Sequence, residues 1–178
     1  MAISILKTMQ FYAYSLIQLL IEPGLFFREL AQKTDKKKTL KRAIGFMVIC
    51  SLFFAGASLL TGVYAKSIFQ MAIIYFVNAA GMIIISSILG YTAMVMILRK
   101  RSSFPIVFSL YVYASGLTLF LSWLPFLLWF TEPWKLWLIY TGLKNTCKLT
   151  WKQALIILVV SITVQFLLIY SAMIAFVN

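Results

Sequence analysis

Uncharged, apolar runs at residues 43–65, 67–98, 102–131 and 153–178 dominate the chain. Each reaches the ~20 residues that a helix needs to cross a hydrocarbon layer of ~30 Å. Strands of a membrane barrel alternate and run to about ten residues, whereas these runs are continuous. Inside lipid, backbone groups must bond within their own segment, so the pattern predicts helices. A fifth run, between Lys135 and Lys144, is too short to span alone.

The basic residues decide how these runs are threaded. Lys33, Lys36, Lys37, Lys38, Lys41 and Arg42 precede the first span, Arg99, Lys100 and Arg101 follow the second, and Lys144, Lys148 and Lys152 precede the last. Only Lys66 and Lys135 fall in the remaining connections. By the positive-inside rule the three clusters lie in the cytoplasm, so the segment between Arg101 and Lys144 must cross twice. A turn at 123–125 would carry Glu132 and Lys135 toward mid-membrane, at about 2.5–3.5 kcal/mol for each charge. A turn at 131–133 leaves both at the outer interface and is the preferred reading, with Lys144 snorkelling to the inner surface. Pro105 then opens its helix, Pro125 kinks it, and Trp123, Trp129, Trp134 and Trp137 ring the outer turn as an aromatic belt.

The expected architecture is an all-α membrane protein with about five transmembrane helices (43–65, 69–98, 105–130, 134–146 and 153–177), its amino terminus cytoplasmic. Four full spans with a re-entrant segment are the alternative, and whether 134–146 fully spans is open. Residues 1–30 are expected to form an amphipathic interfacial segment. Ser4, Thr8, Ser15, Gln18 and Glu22 recur at roughly helical spacing, with Ile3, Leu6, Leu16, Leu20 and Ile21 elsewhere on the wheel. A cleaved signal fits poorly, because Lys7 is the one early base and no small-x-small site directly precedes Glu22-Pro23. Residues 31–42 read as a basic cytoplasmic linker that sets topology or attracts anionic headgroups.

Composition strengthens the membrane reading. Apolar residues make up 63% of the 178 and charged residues 11%, against about a quarter charged in soluble domains. The net charge of +12 does not point to nucleic acid, since the same positions are those that membrane insertion requires. There is no His, the commonest metal ligand and proton shuttle. Cys50 and Cys147 lack metal-site spacing, and neither a phosphate loop nor a nucleophile elbow is present. No catalytic residue, metal or cofactor is expected. The polar residues inside the spans are neutral: Asn78, Ser86, Ser87 and Gln165. Asn78 and Gln165 suit hydrogen bonds between helices or to a polar ligand, while Gly56, Gly81 and Gly116, each beside Ala or Ser, offer surfaces for close helix contact or a partner helix. Lys36, Lys37, Lys38, Lys41, Arg42, Arg99, Lys100 and Arg101 are the candidates for headgroup contact and topology.

Some of the sequence order is shared with a known family. Glu22-Pro23-Gly24-Leu25-Phe26-Phe27-Arg28-Glu29-Leu30 precedes the first span, Tyr113-Ala114-Ser115 lies in the third, and Trp137, Gly142-Leu143, Leu149-Thr150 and Gln153-Ala154 lead into the last. Over residues 20–177 the chain resembles the Yip1-domain family of multi-pass membrane proteins, in its bacterial form; Pro23, Phe26, Phe27, Trp137, Gly142 and Ala154 carry the resemblance. It implies about five spans, a cytoplasmic amino terminus and no enzymatic activity. Eukaryotic relatives act in vesicle trafficking and bind small GTPases or other membrane proteins, and some bacterial ones look like accessory partners of ABC-type exporters. The long amino-terminal region of the eukaryotic pattern is missing, so a bacterial cytoplasmic membrane is the expected setting.

Three functions compete. An accessory or scaffold subunit of a larger membrane complex comes first, with membrane lipids and other membrane proteins as partners and no nucleic acid. A lipid-binding or membrane-shaping protein is second. A small transporter or channel lined by Asn78 and Gln165 is third.

Overall fold

A computed structural model describes residues 2–33, 35–60, 67–99 and 102–177. They form α1 (Ala2–Ile21), α2 (Pro23–Gln32), α3 (Lys36–Leu59), α4 (Ile68–Leu98), α5 (Phe104–Ser122), a 3-10 turn (Pro125–Leu127), α6 (Leu128–Thr146) and α7 (Trp151–Val177), with no strand among the described residues. Four of them, α3, α4, α5 and the Trp151–Leu168 stretch of α7, are long and apolar enough to cross a membrane. At 31 residues, α4 is about 46 Å long, enough to span only with tilt or overhang.

The bundle is built around α5. Two thirds of its most apolar stretch is buried (67%), against 17% in α4 and in α7, and every residue from Val107 to Thr118 is buried. A helix that is apolar all round is the one a bundle can enclose completely. Phe46 meets Tyr113 (centroids 4.9 Å apart) and Phe53 meets Phe120 (4.7 Å). Both members advance by seven residues, so α3 and α5 run parallel. A Cβ on Gly116 would come within 2.6 Å of the Phe46 ring, and one on Gly142 within 2.7 Å of Leu110 Cγ. Glycine therefore sets the α3–α5 and α5–α6 distances. Gly90 does the same for α4, receiving the tip of Tyr111.

The turn between α5 and α6 differs from the one expected between the third and fourth spans. It lies at residues 123–127 rather than 131–133, so the third helix is shorter than 105–130 and the fourth longer than 134–146. Pro125 ends α5 instead of kinking it. Proline has no N–H to give and clashes with the preceding turn, and the chain tightens into a 3-10 turn with Leu127 N bonding Leu124 O (3.0 Å). Pro133 falls early in α6, where the bond it forfeits, to the Trp129 carbonyl, lies near the helix's exposed end. The charge cost that favoured the later turn is offset because Lys135 Nζ and Glu132 Oε2 pair at 2.6 Å.

The amino-terminal segment also departs from its predicted wheel. Ser15 and Leu19 are buried, Tyr14, Ile17, Leu20 and Ile21 are exposed, and the Ser15 hydroxyl is satisfied by Phe11 O (2.8 Å). Local bonding removes the penalty for turning a serine inward, and α1 docks on α3 through Tyr12, whose hydroxyl donates to Arg42 O (3.2 Å). The side chains of Ser4 and Thr8 lie outside the described residues. Most of the expected linker is helical: Asp35 caps α3 by accepting from Lys38 N (3.0 Å), so Lys36, Lys37 and Lys38 form its first turn.

Candidate functional site

At the basic end, the proline-aromatic motif folds as α2, with Pro23 in its first turn. Phe26, Phe27 and Leu30 point inward, and Phe26 meets Tyr113 edge-on (5.0 Å). Thr146 Oγ1 donates to Phe27 O (3.0 Å), Arg28 Nε to Asn145 Oδ1 (3.1 Å), and Asn145 Nδ2 to Thr141 O (2.8 Å). Ala154 is fully buried, while Trp137 is half exposed. These residues clamp α2 against α5 and α6; apart from Trp137, the motif residues do packing work.

Phe11 joins α1 to the same end. The guanidinium of Arg42 lies 4.3 Å from its ring centroid and Lys33 Nζ 5.5 Å, attractions worth about 0.5–1 kcal/mol at exposed sites. Burial, and then the neighbouring Arg42 charge, lower the Lys33 pKa against a smaller opposing pull from Glu29.

A largely apolar cleft that holds a few polar groups opens between α4, α5, α6 and α7. Two adjoining cavities, of about 360 and 240 Å³, share Met82, Ser86, Ser115, Glu132, Lys135 and Gln165. Ser86 Oγ lies 2.7 Å from Met82 O and 2.9 Å from Gln165 Oε1. A hydroxyl has one proton for these two acceptors, and Gln165 Nε2 donates to Met82 Sδ (3.9 Å), a weak acceptor that leaves the amide open to a better partner. Glu132 and Lys135 sit about 6 and 10 Å along α6 from its first residue, with side chains 54% and 27% exposed. Deeper in, Tyr111 reaches toward Ser161 without closing a hydrogen bond, and Ser161 sends its own proton to Ile157 O (2.6 Å). Nucleophilic chemistry would need an activating base beside such a hydroxyl. Among the described residues no three of His, Cys, Asp and Glu converge. The arrangement offers an ion pair, an amide and hydroxyls, which are groups for binding.

The predicted site residues divide. Asn78 and Gln165 line the same cavity, Gly116 packs inside the bundle, and a Cβ on Gly56 or Gly81 would meet nothing. Lys36, Lys37, Lys38, Lys41 and Arg99 are exposed and Arg42 partly so, while Lys100 and Arg101, like 61–65 of the first span, lie outside the described residues. The cleft roles of Glu132, Lys135, Ser115 and Ser161 were missed. An acid and a base three residues apart around a proline in an otherwise apolar helix were the available signal.

The family model for the Yip1 domain matches residues 17–173, nearly the whole chain. The chain belongs to the Yip1-domain family. Comparison with curated proteins and with solved structures returned no match. As a Yip1-domain protein with four long apolar helices, it is an integral multi-pass membrane protein in contact with lipid. The clamp between α2 and α6 and the cleft both lie within the matched residues.

Proposed function

We propose that this Yip1-domain protein is a non-enzymatic accessory subunit of a larger membrane complex, and that a partner's transmembrane helix docks over the cleft. The Glu132–Lys135 pair carries this reading. Ionisable residues within a membrane bundle are expensive and mark functional positions, and this pair faces out of the bundle rather than into a sealed core. A polar side chain on a partner helix would complete the bonding of Gln165 and the pair, while Gly56 and Gly81 leave room for close helix approach. The family resemblance makes an ABC-type exporter one class of such a complex and a bacterial cytoplasmic membrane its setting, and the charge pattern supports a cytoplasmic basic end.

Photo-crosslinking amino acids at Leu136 and Phe166, both on the cleft, test this in cells. A discrete protein adduct at these positions, weakened by Glu132→Gln with Lys135→Met, is expected. Only lipid adducts, with a monomer under every mild-detergent condition, would remove the reading.

Two observations favour other readings. Asn78 and Gln165 line one cavity, as a transport path would need; unchanged flux in reconstituted Asn78→Leu and Gln165→Leu variants counts against it. The exposed apolar face of α1 beside Lys36, Lys37 and Lys38 suits a membrane surface; liposome binding indifferent to anionic lipid removes that one.

A further inference from the structure

We propose that a second, built site at the basic end holds the phosphate group of an anionic membrane lipid. Arg28 and Gln32 of α2, Lys144 and Asn145 from the last turn of α6, and Lys148 of the following loop surround a pocket of about 570 Å³. Among the described residues no carboxylate lines it. Arg28, Lys144 and Lys148 line one opening, and such a concentration of one sign raises the local anion concentration.

Part of the arrangement is held within the chain. Asn145 takes one N–H of Arg28 (3.1 Å) and is itself held by Thr141 O, so the guanidinium keeps its terminal donors for a tetrahedral oxyanion. Thr146 bonds Phe27 O beneath the pocket, and the floor residue Leu149 is buried. Lys148 adopts a left-handed backbone (φ 49°) at the turn into α7. The lysines at the start of α3 differ in being spread around one helical turn, and they line neither this pocket nor the cleft.

The surroundings point to a lipid. Leu25 is 47% exposed beside Arg28, and Trp151 is 56% exposed next to the loop, which places apolar surface on both sides of the cations. Tryptophan near a span end is a common interfacial anchor. A glycerophospholipid would set its phosphate among Arg28, Lys144 and Lys148 and lay its chains along these surfaces. The inference does not rest on the accessory-subunit reading.

Native mass spectrometry of the full chain in detergent tests it, titrating phosphatidylglycerol, phosphatidylcholine and inorganic phosphate separately. Phosphatidylglycerol is expected to bind stoichiometrically, and Arg28→Gln with Lys144→Gln and Lys148→Gln to weaken it at least tenfold. Lys36→Gln with Lys37→Gln and Lys38→Gln should change it less than threefold. Asn145→Leu, which frees Arg28 without changing charge, should also weaken binding. Displacement of phosphatidylglycerol by millimolar inorganic phosphate would identify a free phosphate as the natural occupant of the same site; no displacement identifies the lipid. Equal loss in the two triple variants, or none in the pocket variant at unchanged melting temperature, overturns the proposal.

Discussion

Thr146, in the last turn of α6, donates a hydrogen bond of 3.0 Å to the carbonyl of Phe27 in α2, across 119 residues of chain. Through it the proline-aromatic motif near the amino terminus is tied to the residues that lead into the last helix. The bond is buried, so it is shielded from competition by water.

Thr146→Val keeps the shape and removes the donor. A net hydrogen bond is worth about 0.5–1.5 kcal/mol, so unfolding in detergent should shift by about 1 kcal/mol, and Thr146→Ser should recover most of it. A null effect from Thr146→Val would mean that α2 is held by the packing of Phe26 and Phe27 alone.

Gly90 and Tyr111 give a second test. Gly90→Ala puts a methyl where the Tyr111 ring tip lies, and overpacking costs typically about 1–3 kcal/mol. Tyr111→Phe deletes a buried hydroxyl without a partner, so it should be neutral or stabilising. The double variant should recover part of the Gly90→Ala loss, since ring carbons also meet the new methyl. Thermal unfolding of the four proteins reads the cycle.

The position of the outer turn is open to cysteine labelling, with Cys50 and Cys147 replaced. Phe126→Cys, at the 68%-exposed tip of the turn, should react with a membrane-impermeant maleimide from the side opposite the basic end, and Leu136→Cys should not. For the ion pair, Glu132→Gln or Lys135→Met alone leaves one unpaired charge facing out of the bundle. A lone charge facing lipid is costly, so each should destabilise more than both together. Near-additive losses would return the pair to the interface.

Lys33 predicts a pH dependence. Its folded pKa lies below the ordinary 10.5, chiefly through burial, so in the window just under 10.5 the unfolded chain binds more protons. Stability should therefore rise with pH through that window and level off above it. Lys33→Met should flatten this slope, as read by unfolding at a series of pH values.

Much of the fold was legible along the chain because lipid imposes a simple rule. A backbone in hydrocarbon must be helical, so the uncharged runs mark α3, α4, α5 and α7 directly, whereas the separate helix that Pro23 opens was not expected within the segment 1–30. The outer turn was not legible, because charges were weighed one at a time. Glu132 and Lys135 are costly apart and tolerable together, and their pairing depends on α6 beginning before Pro133. The wheel of α1 misled for a related reason: Ser15 finds a local acceptor, so its polarity does not say which way it faces.

By itself the sequence determined that this is a helical membrane protein, and its motifs pointed to the Yip1-domain family, because length, apolarity and short motifs are properties of the chain read in order. Only the tertiary structure decided that Ser86, Gln165 and the Glu132–Lys135 pair share one cleft and that Arg28 faces Asn145. Those groups are separated by tens of residues, and their meeting depends on which faces α5 buries and how closely its glycine contacts let the neighbouring helices approach.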